Sequence, residues 1–217
     1  MSESPVSQHA AAGRSPELLN REWSHLLVVD VQEKLLPVVA GSDDLLQTIL
    51  FLLDAAKILQ VPVCVSEQYP QGLGPTVSEI CEHPAAGVSF QKLRFSAAAG
   101  FHQLQTAEAG AEARAQPAVR PATPDQVVIV GIEAHICVLQ TALDLLAQGR
   151  RVFVVQDAVA SRQTADHDAA MDRIRDSGGV ICTAESVVFE WCEVAGTDEF
   201  RQISRLVRNR TSTSEKH

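Results

Sequence analysis

The sequence predicts a single α/β domain, doubly wound, with a mostly parallel six-stranded sheet and helices on both faces. Three observations carry that expectation. Short β-branched apolar runs alternate with longer amphipathic ones along the chain. The short runs are apolar throughout rather than alternating, as strands covered on both faces are. A length of 217 residues with 46% hydrophobic content suits one sizeable core.

The elements follow in order. "HLLVVDV" at 25–31 reads as the first strand. "SDDLLQTILFLLDAAKILQ" at 42–60 reads as a helix with Ser42 as N-cap and Asp43 and Asp44 in the first turn, where the helix dipole favours negative charge. Leu45, Ile49, Leu52, Ala56 and Leu59 share one face of it. "VPVCVS" at 61–66 is the second strand, "GVSFQKLRF" at 87–95 the third, "QVVIVGI" at 126–132 the fourth and "RVFVVQDAV" at 151–159 the fifth, while "GVICTAESVVF" begins a sixth. Helices fill the intervals, notably "CVLQTALDLLAQG" ending at Gly149 and "TADHDAAMDRIRDSGG" ending at Gly178 and Gly179, with glycine where a C-cap belongs. Residues 97–125, alanine-rich with Pro117, Pro121 and Pro124, read as one short helix and a long connection. The polar residues 1–23 and the terminal "NRTSTSEKH" at 209–217 read as flexible segments, leaving 24–208 as the domain.

A net charge of −9 argues against a basic surface that holds nucleic acid. No apolar run approaches the roughly 20 residues of a membrane-spanning helix, and the N-terminal stretch lacks the apolar centre of a secretory signal, so a cytoplasmic protein is expected. The five cysteines, Cys64, Cys81, Cys137, Cys182 and Cys192, form no C-x-x-C pair, which suits reduced thiols rather than a disulfide framework. Cys81 and His83 in "CEHP" have no partner pair nearby, so neither a metal site nor a cofactor is expected.

Ligands of an open parallel sheet bind beyond the carboxyl ends of its strands, and that rule filters the candidate residues. "QGLGPTV" has Val77 where a dinucleotide loop needs its third glycine, and neither a P-loop nor a G-x-S-x-G elbow is present. Three reactive residues pass the filter: Asp30 at the end of the first strand, Lys92 near the end of the third, and Cys137 where the fourth strand gives way to a helix. Each has a plain reading as well, since aspartates begin turns, lysines are mostly solvated and free cysteines pack as small hydrophobes. Together they suffice for acyl transfer to water. The helix N-terminus and a nearby ammonium favour a Cys137 thiolate, Asp30 can exchange the proton, and N–H groups at the helix start can hold an oxyanion.

These residues also carry a resemblance. "LLVVDVQ" with Asp30, "QKLRFSA" with Lys92 and "VIVGIEAHICVLQTALDLLAQG" with Cys137 resemble the isochorismatase-like cysteine hydrolases, a family that includes nicotinamidases and N-carbamoylsarcosine amidohydrolase. The resemblance covers roughly residues 24–195, and "SEQYPQGLGPTV" at 66–77 is similar to the animal isochorismatase-domain proteins and their bacterial relatives. It implies a catalytic triad of nucleophile Cys137, carboxylate Asp30 and lysine Lys92, a cis peptide at Ile132–Glu133, an oxyanion hole from the backbone N–H groups of Glu133 and Cys137, and a homo-oligomer. Nicotinamidases hold a metal through an Asp-x-His segment and a second histidine, whereas no Asp or His occurs from Val61 to Ile80 here, so the expected hydrolase is metal-independent.

Gln32, Gln68, Tyr69 and Phe95 are the candidate substrate-binding residues. Glu133 either lines the pocket or points into a subunit contact, and His135 ranks below Asp30 as a base. The expected function is a cysteine hydrolase that cleaves a small amide or ester through a thioester. The alternative is a protein that keeps the fold for interaction or assembly and has lost turnover. Thiol redox chemistry is the weaker third reading, because no resolving cysteine neighbours Cys137.

Overall fold

The computed structural model describes residues 14–112 and 126–214. Strands β1 (Ser24–Val29), β2 (Val63–Gln68), β3 (Val88–Lys92), β4 (Gln126–Ile132), β5 (Arg151–Ala160) and β6 (Val180–Cys182) form one sheet in the order β3-β2-β1-β4-β5-β6. Every pairing is parallel, as expected for runs that are apolar throughout. The chain builds outward from β1 to β3 and then returns to lay β4 along the other side of β1. The winding therefore reverses between β1 and β4, and a crevice opens beyond their carboxyl ends.

The helices are α1 (Ser42–Leu59), α2 (Pro70–Leu73), α3 (Ser78–Cys81), α4 (Ala98–Glu112), α5 (Leu139–Ala147), α6 (Thr164–Asp176), α7 (Ala184–Cys192) and α8 (Asp198–Ser214). Side chains of a strand alternate between faces, and β1 is buried on both. Leu26 and Val28 join one core with Ile49 and Leu52 of α1, Trp191 of α7 and Ile203 of α8. Leu27 and Val29 join the other with Phe101 of α4, Leu145 of α5 and Ile174 of α6. Gly131 lets β4 lie close to β1: its φ is 117°, and a Cβ there would run into the Val29 carbonyl oxygen. Among the described residues, no helix is long and apolar enough to cross a membrane.

Several boundaries differ from the sequence expectation, each for a local reason. Gly41, not Ser42, caps α1; its left-handed backbone makes the turn, and no side chain caps the helix. The second strand starts at Val63, because Pro62 has no N–H to give and offers only its carbonyl, to Leu26. β6 ends at Cys182, and "AESVVF" opens α7 behind the Thr183–Ser186 capping box. The helix within 97–125 runs from Ala98 to Glu112, and the long connection expected after it falls outside the described residues.

Both expected flexible segments have described parts that dock on the domain. Leu19 is fully buried, and Arg14 donates to the Leu19 and Glu190 carbonyls. Arg210 donates to Thr48 and Asp157 and lies over the Phe51 ring.

Candidate active site

Asp30 is the first residue after β1 and takes a left-handed backbone (φ 53°). Its N–H donates to the Ser66 carbonyl at 3.1 Å, and its side chain is fully buried. Oδ2 accepts from Lys92 Nζ at 2.7 Å, and Oδ1 accepts from the Ser66 hydroxyl at 2.7 Å. The Cys137 thiol, only 5% exposed, is hydrogen-bonded to the Asp30 carboxylate and within reach of the Lys92 ammonium. The ends of β1 and β3 and the turn after β4 thus converge at the crevice where the winding reverses.

Lys92 Nζ also donates to Gln68 Oε1 and to the Phe95 carbonyl, each at 2.7 Å, with the Arg94 carbonyl at 3.4 Å. An ammonium has three N–H bonds. Acceptors within the protein take all three, so Lys92 acts as a fixed positive charge. The same carbonyls explain why β3 stops at Lys92 rather than at Phe95: the chain turns inward to meet the ammonium. Gln68 Nε2 donates to the Leu93 carbonyl at 2.9 Å. Gln32, fully buried, clamps the end of β2: its Oε1 accepts from the Gln68 N–H at 2.7 Å, and its Nε2 donates to the Gln68 and Gly74 carbonyls. Gln32 therefore reaches Lys92 through Gln68.

Burial pushes the Cys137 thiol well up from its ordinary pKa, and the Asp30 charge pushes it the same way, against Lys92. Burial also raises Asp30, against the stabilisation it receives from Lys92, Cys137 and Ser66. Burial and the Asp30 charge therefore work against the thiolate that the lysine favours.

The peptide between Ile132 and Glu133 is cis. Residues Ala134–Val138 then form a wide helical turn, closed by the Val138 N–H on the Glu133 carbonyl, before α5 begins at Leu139. Cys137 sits inside this turn rather than at the first residue of the helix. The Glu133 side chain faces the β5–α6 connection, where its Oε1 accepts from Arg162 Nε at 2.7 Å and the Arg162 N–H at 3.3 Å. His135 is held on the α6 side, with Nδ1 2.9 Å from the Ser161 hydroxyl and Nε2 3.8 Å from Asp166. Tyr69 and Phe95 bring main chain to the site, but their side chains are half exposed. Among the described residues, no three His, Cys, Asp or Glu side chains are placed to hold a metal ion.

Sequence reasoning missed Ser66 and Arg162. Ser66 had a signal, a hydroxyl closing an otherwise apolar strand. Arg162 had none, because only the fold brings the end of β5 beside the nucleophile turn.

A parallel three-layer α/β domain gathers a thiol, a carboxylate and an ammonium at its topological switch. Residues 24–186 match the family model described as an isochorismatase domain. The chain belongs to the isochorismatase family, a family of hydrolases. It is 33% identical over 199 residues to the mouse isochorismatase domain-containing protein 2A, covering 92% of this chain and 89% of that one. It is 36% identical over 179 residues to the Salmo salar isochorismatase domain-containing protein 1, covering 82% of this chain but only 59% of the longer relative. Among solved structures, one named as the MAR1 ribonuclease of Caenorhabditis elegans superposes with a TM-score of 0.73 at 33% identity, over 88% of this chain and 92% of that one.

Proposed function

We infer that the protein hydrolyses a small amide or ester through a thioester on Cys137, without a metal or other cofactor. The observation that carries this reading is the convergence of three groups: Lys92 Nζ lies 2.7 Å from Asp30 Oδ2, and the Cys137 thiol meets the same carboxylate. Asp30 takes the thiol proton as Sγ attacks the carbonyl carbon, so no free thiolate accumulates. Lys92 keeps the carboxylate ionised and then balances the charge that moves onto the substrate. The backbone N–H groups of Glu133 and Cys137 hold the oxyanion. Collapse breaks the C–N or C–O bond, and the leaving group takes the proton from Asp30. Asp30 next accepts a proton from water, which attacks the thioester, and returns that proton to sulfur. Gln68, Tyr69 and Phe95 border the entrance. Glu133, neutralised by Arg162, adds no net charge there, which suits an uncharged reacting group.

The five free thiols suit a reducing, cytoplasmic setting, and a homo-oligomer is what the family resemblance implies. The test is trapping. Small amides and esters are offered with hydroxylamine, and wild type, but not Cys137→Ser, should form the hydroxamate; no acyl transfer from any of them would favour the assembly role instead. The name of the C. elegans structure gives a second reading, RNA cleavage. The net charge of −9 and a thiol–carboxylate pair suited to acyl carbon weigh against it. RNA cleavage that is lost in Cys137→Ser would establish it.

A further inference from the structure

A carboxylate that draws a proton from a thiol must have its charge and its orientation set by other groups. Lys92 holds one oxygen of Asp30, Oδ2. We propose that Ser66 is a positioning residue for Asp30, its hydroxyl holding Oδ1 so that cation and hydroxyl together fix the carboxylate toward Cys137. This rests on the thioester reading above.

Ser66 is fully buried on β2, where the preceding residues Val63, Cys64 and Val65 are apolar. A hydroxyl there needs a partner, and Asp30 Oδ1 at 2.7 Å is the acceptor it has among the described residues. The register places Ser66 beside Val29, so its side chain reaches Asp30, the next residue after the neighbouring strand β1. The Ser66 carbonyl accepts the Asp30 N–H, so Ser66 grips Asp30 by backbone and side chain at once. The groups acting on Asp30 are Lys92 from β3, Cys137 from the turn after β4, and Ser66 from β2. Lys92 carries charge and Cys137 gives the proton. Ser66 is the donor of the three that neither carries charge nor gives up its proton, and removing its oxygen leaves every charge in place.

The test is the pH dependence of Cys137 alkylation by iodoacetamide in the full-length protein, read by peptide mass spectrometry for wild type, Ser66→Ala, Ser66→Thr and Asp30→Asn. Without the hydroxyl, ionised Asp30 loses a donor, and the acid limb of the Ser66→Ala profile should move up by about one pH unit. Ser66→Thr, which keeps the hydroxyl, should hold the wild-type midpoint. A Ser66→Ala limb that stays in place, or a Ser66→Thr limb that moves equally, overturns the proposal. The underlying reading fails separately: there, Asp30→Asn would alkylate as fast as wild type at every pH.

Discussion

Two thiols, one on the edge strand and one in the turn beyond β4, sit in different company. Cys182, on the edge strand β6, is pushed up to about 12 by burial and by the Glu190 and Asp157 charges; its Sγ donates to the Val154 carbonyl at 3.6 Å and its side chain packs against the core. Cys137, after the inner strand β4, is also pushed up by burial and by a carboxylate, but that carboxylate is hydrogen-bonded to the thiol and an ammonium bears on both. A raised thiol pKa therefore has opposite meanings in the two places. Around Cys182 it means an inert packing group. Around Cys137 it means a proton that leaves only when a base in contact takes it. The pKa alone does not identify a nucleophile; the partner does.

The comparison breaks most sharply on turnover. With an amide or ester that wild type hydrolyses, Cys137→Ala should lower kcat by at least about 10³-fold, and Cys182→Ala should leave it unchanged; equal effects would erase the distinction. Stability sharpens it next. Asp30→Leu or Lys92→Met alone leaves a buried charge without its partner and should cost about 3–5 kcal/mol in urea unfolding. The double replacement should cost less than either single one. Cys182→Ala, which strands no charge, should fall below both.

Alkaline pH gives a smaller effect, and there the two thiols act alike. Each binds its proton more tightly folded than unfolded. The stability it contributes is whole below the unfolded value and is lost as pH rises through the folded one. For Cys182 that window runs from 9.0 to about 12. Each thiol should lower stability by up to about 1.4 kcal/mol per pH unit there, and Cys182→Ala should flatten the slope seen in urea unfolding. The smallest effect is expected at Arg162→Ala, which frees the buried Glu133 carboxylate at the rim of the nucleophile turn. Its melting temperature should drop less than that of Lys92→Met.

The parallel sheet and its layers were legible because strands apolar on both faces pack between two layers of helices; the strand order was not, since it came only with the structure. The positions of Asp30, Lys92 and Cys137 at strand ends followed from the same pattern. What local sequence did not carry was the direction of long-range polar contacts. The Gln32 clamp on Gln68 joins residues 36 positions apart, and the Arg162 bond to Glu133 joins residues 29 apart. The balance of influences on the Cys137 thiol was hidden for the same reason: a helix start and a lysine are visible in sequence, but the depth of burial that opposes them is not. Helix α8 had a legible signal in Phe200, Ile203, Leu206 and Val207, which share one apolar face.

The most direct measurement is competitive iodoacetamide labelling of all five cysteines at neutral pH, in wild type and in Asp30→Asn. If Asp30 is the base, Cys137 reacts faster than Cys182 in wild type and slows by about 10²-fold or more in Asp30→Asn. If Asp30 is only a negative neighbour, removing its charge lowers the thiol pKa and Cys137 labels faster in the variant; that result would contradict the account.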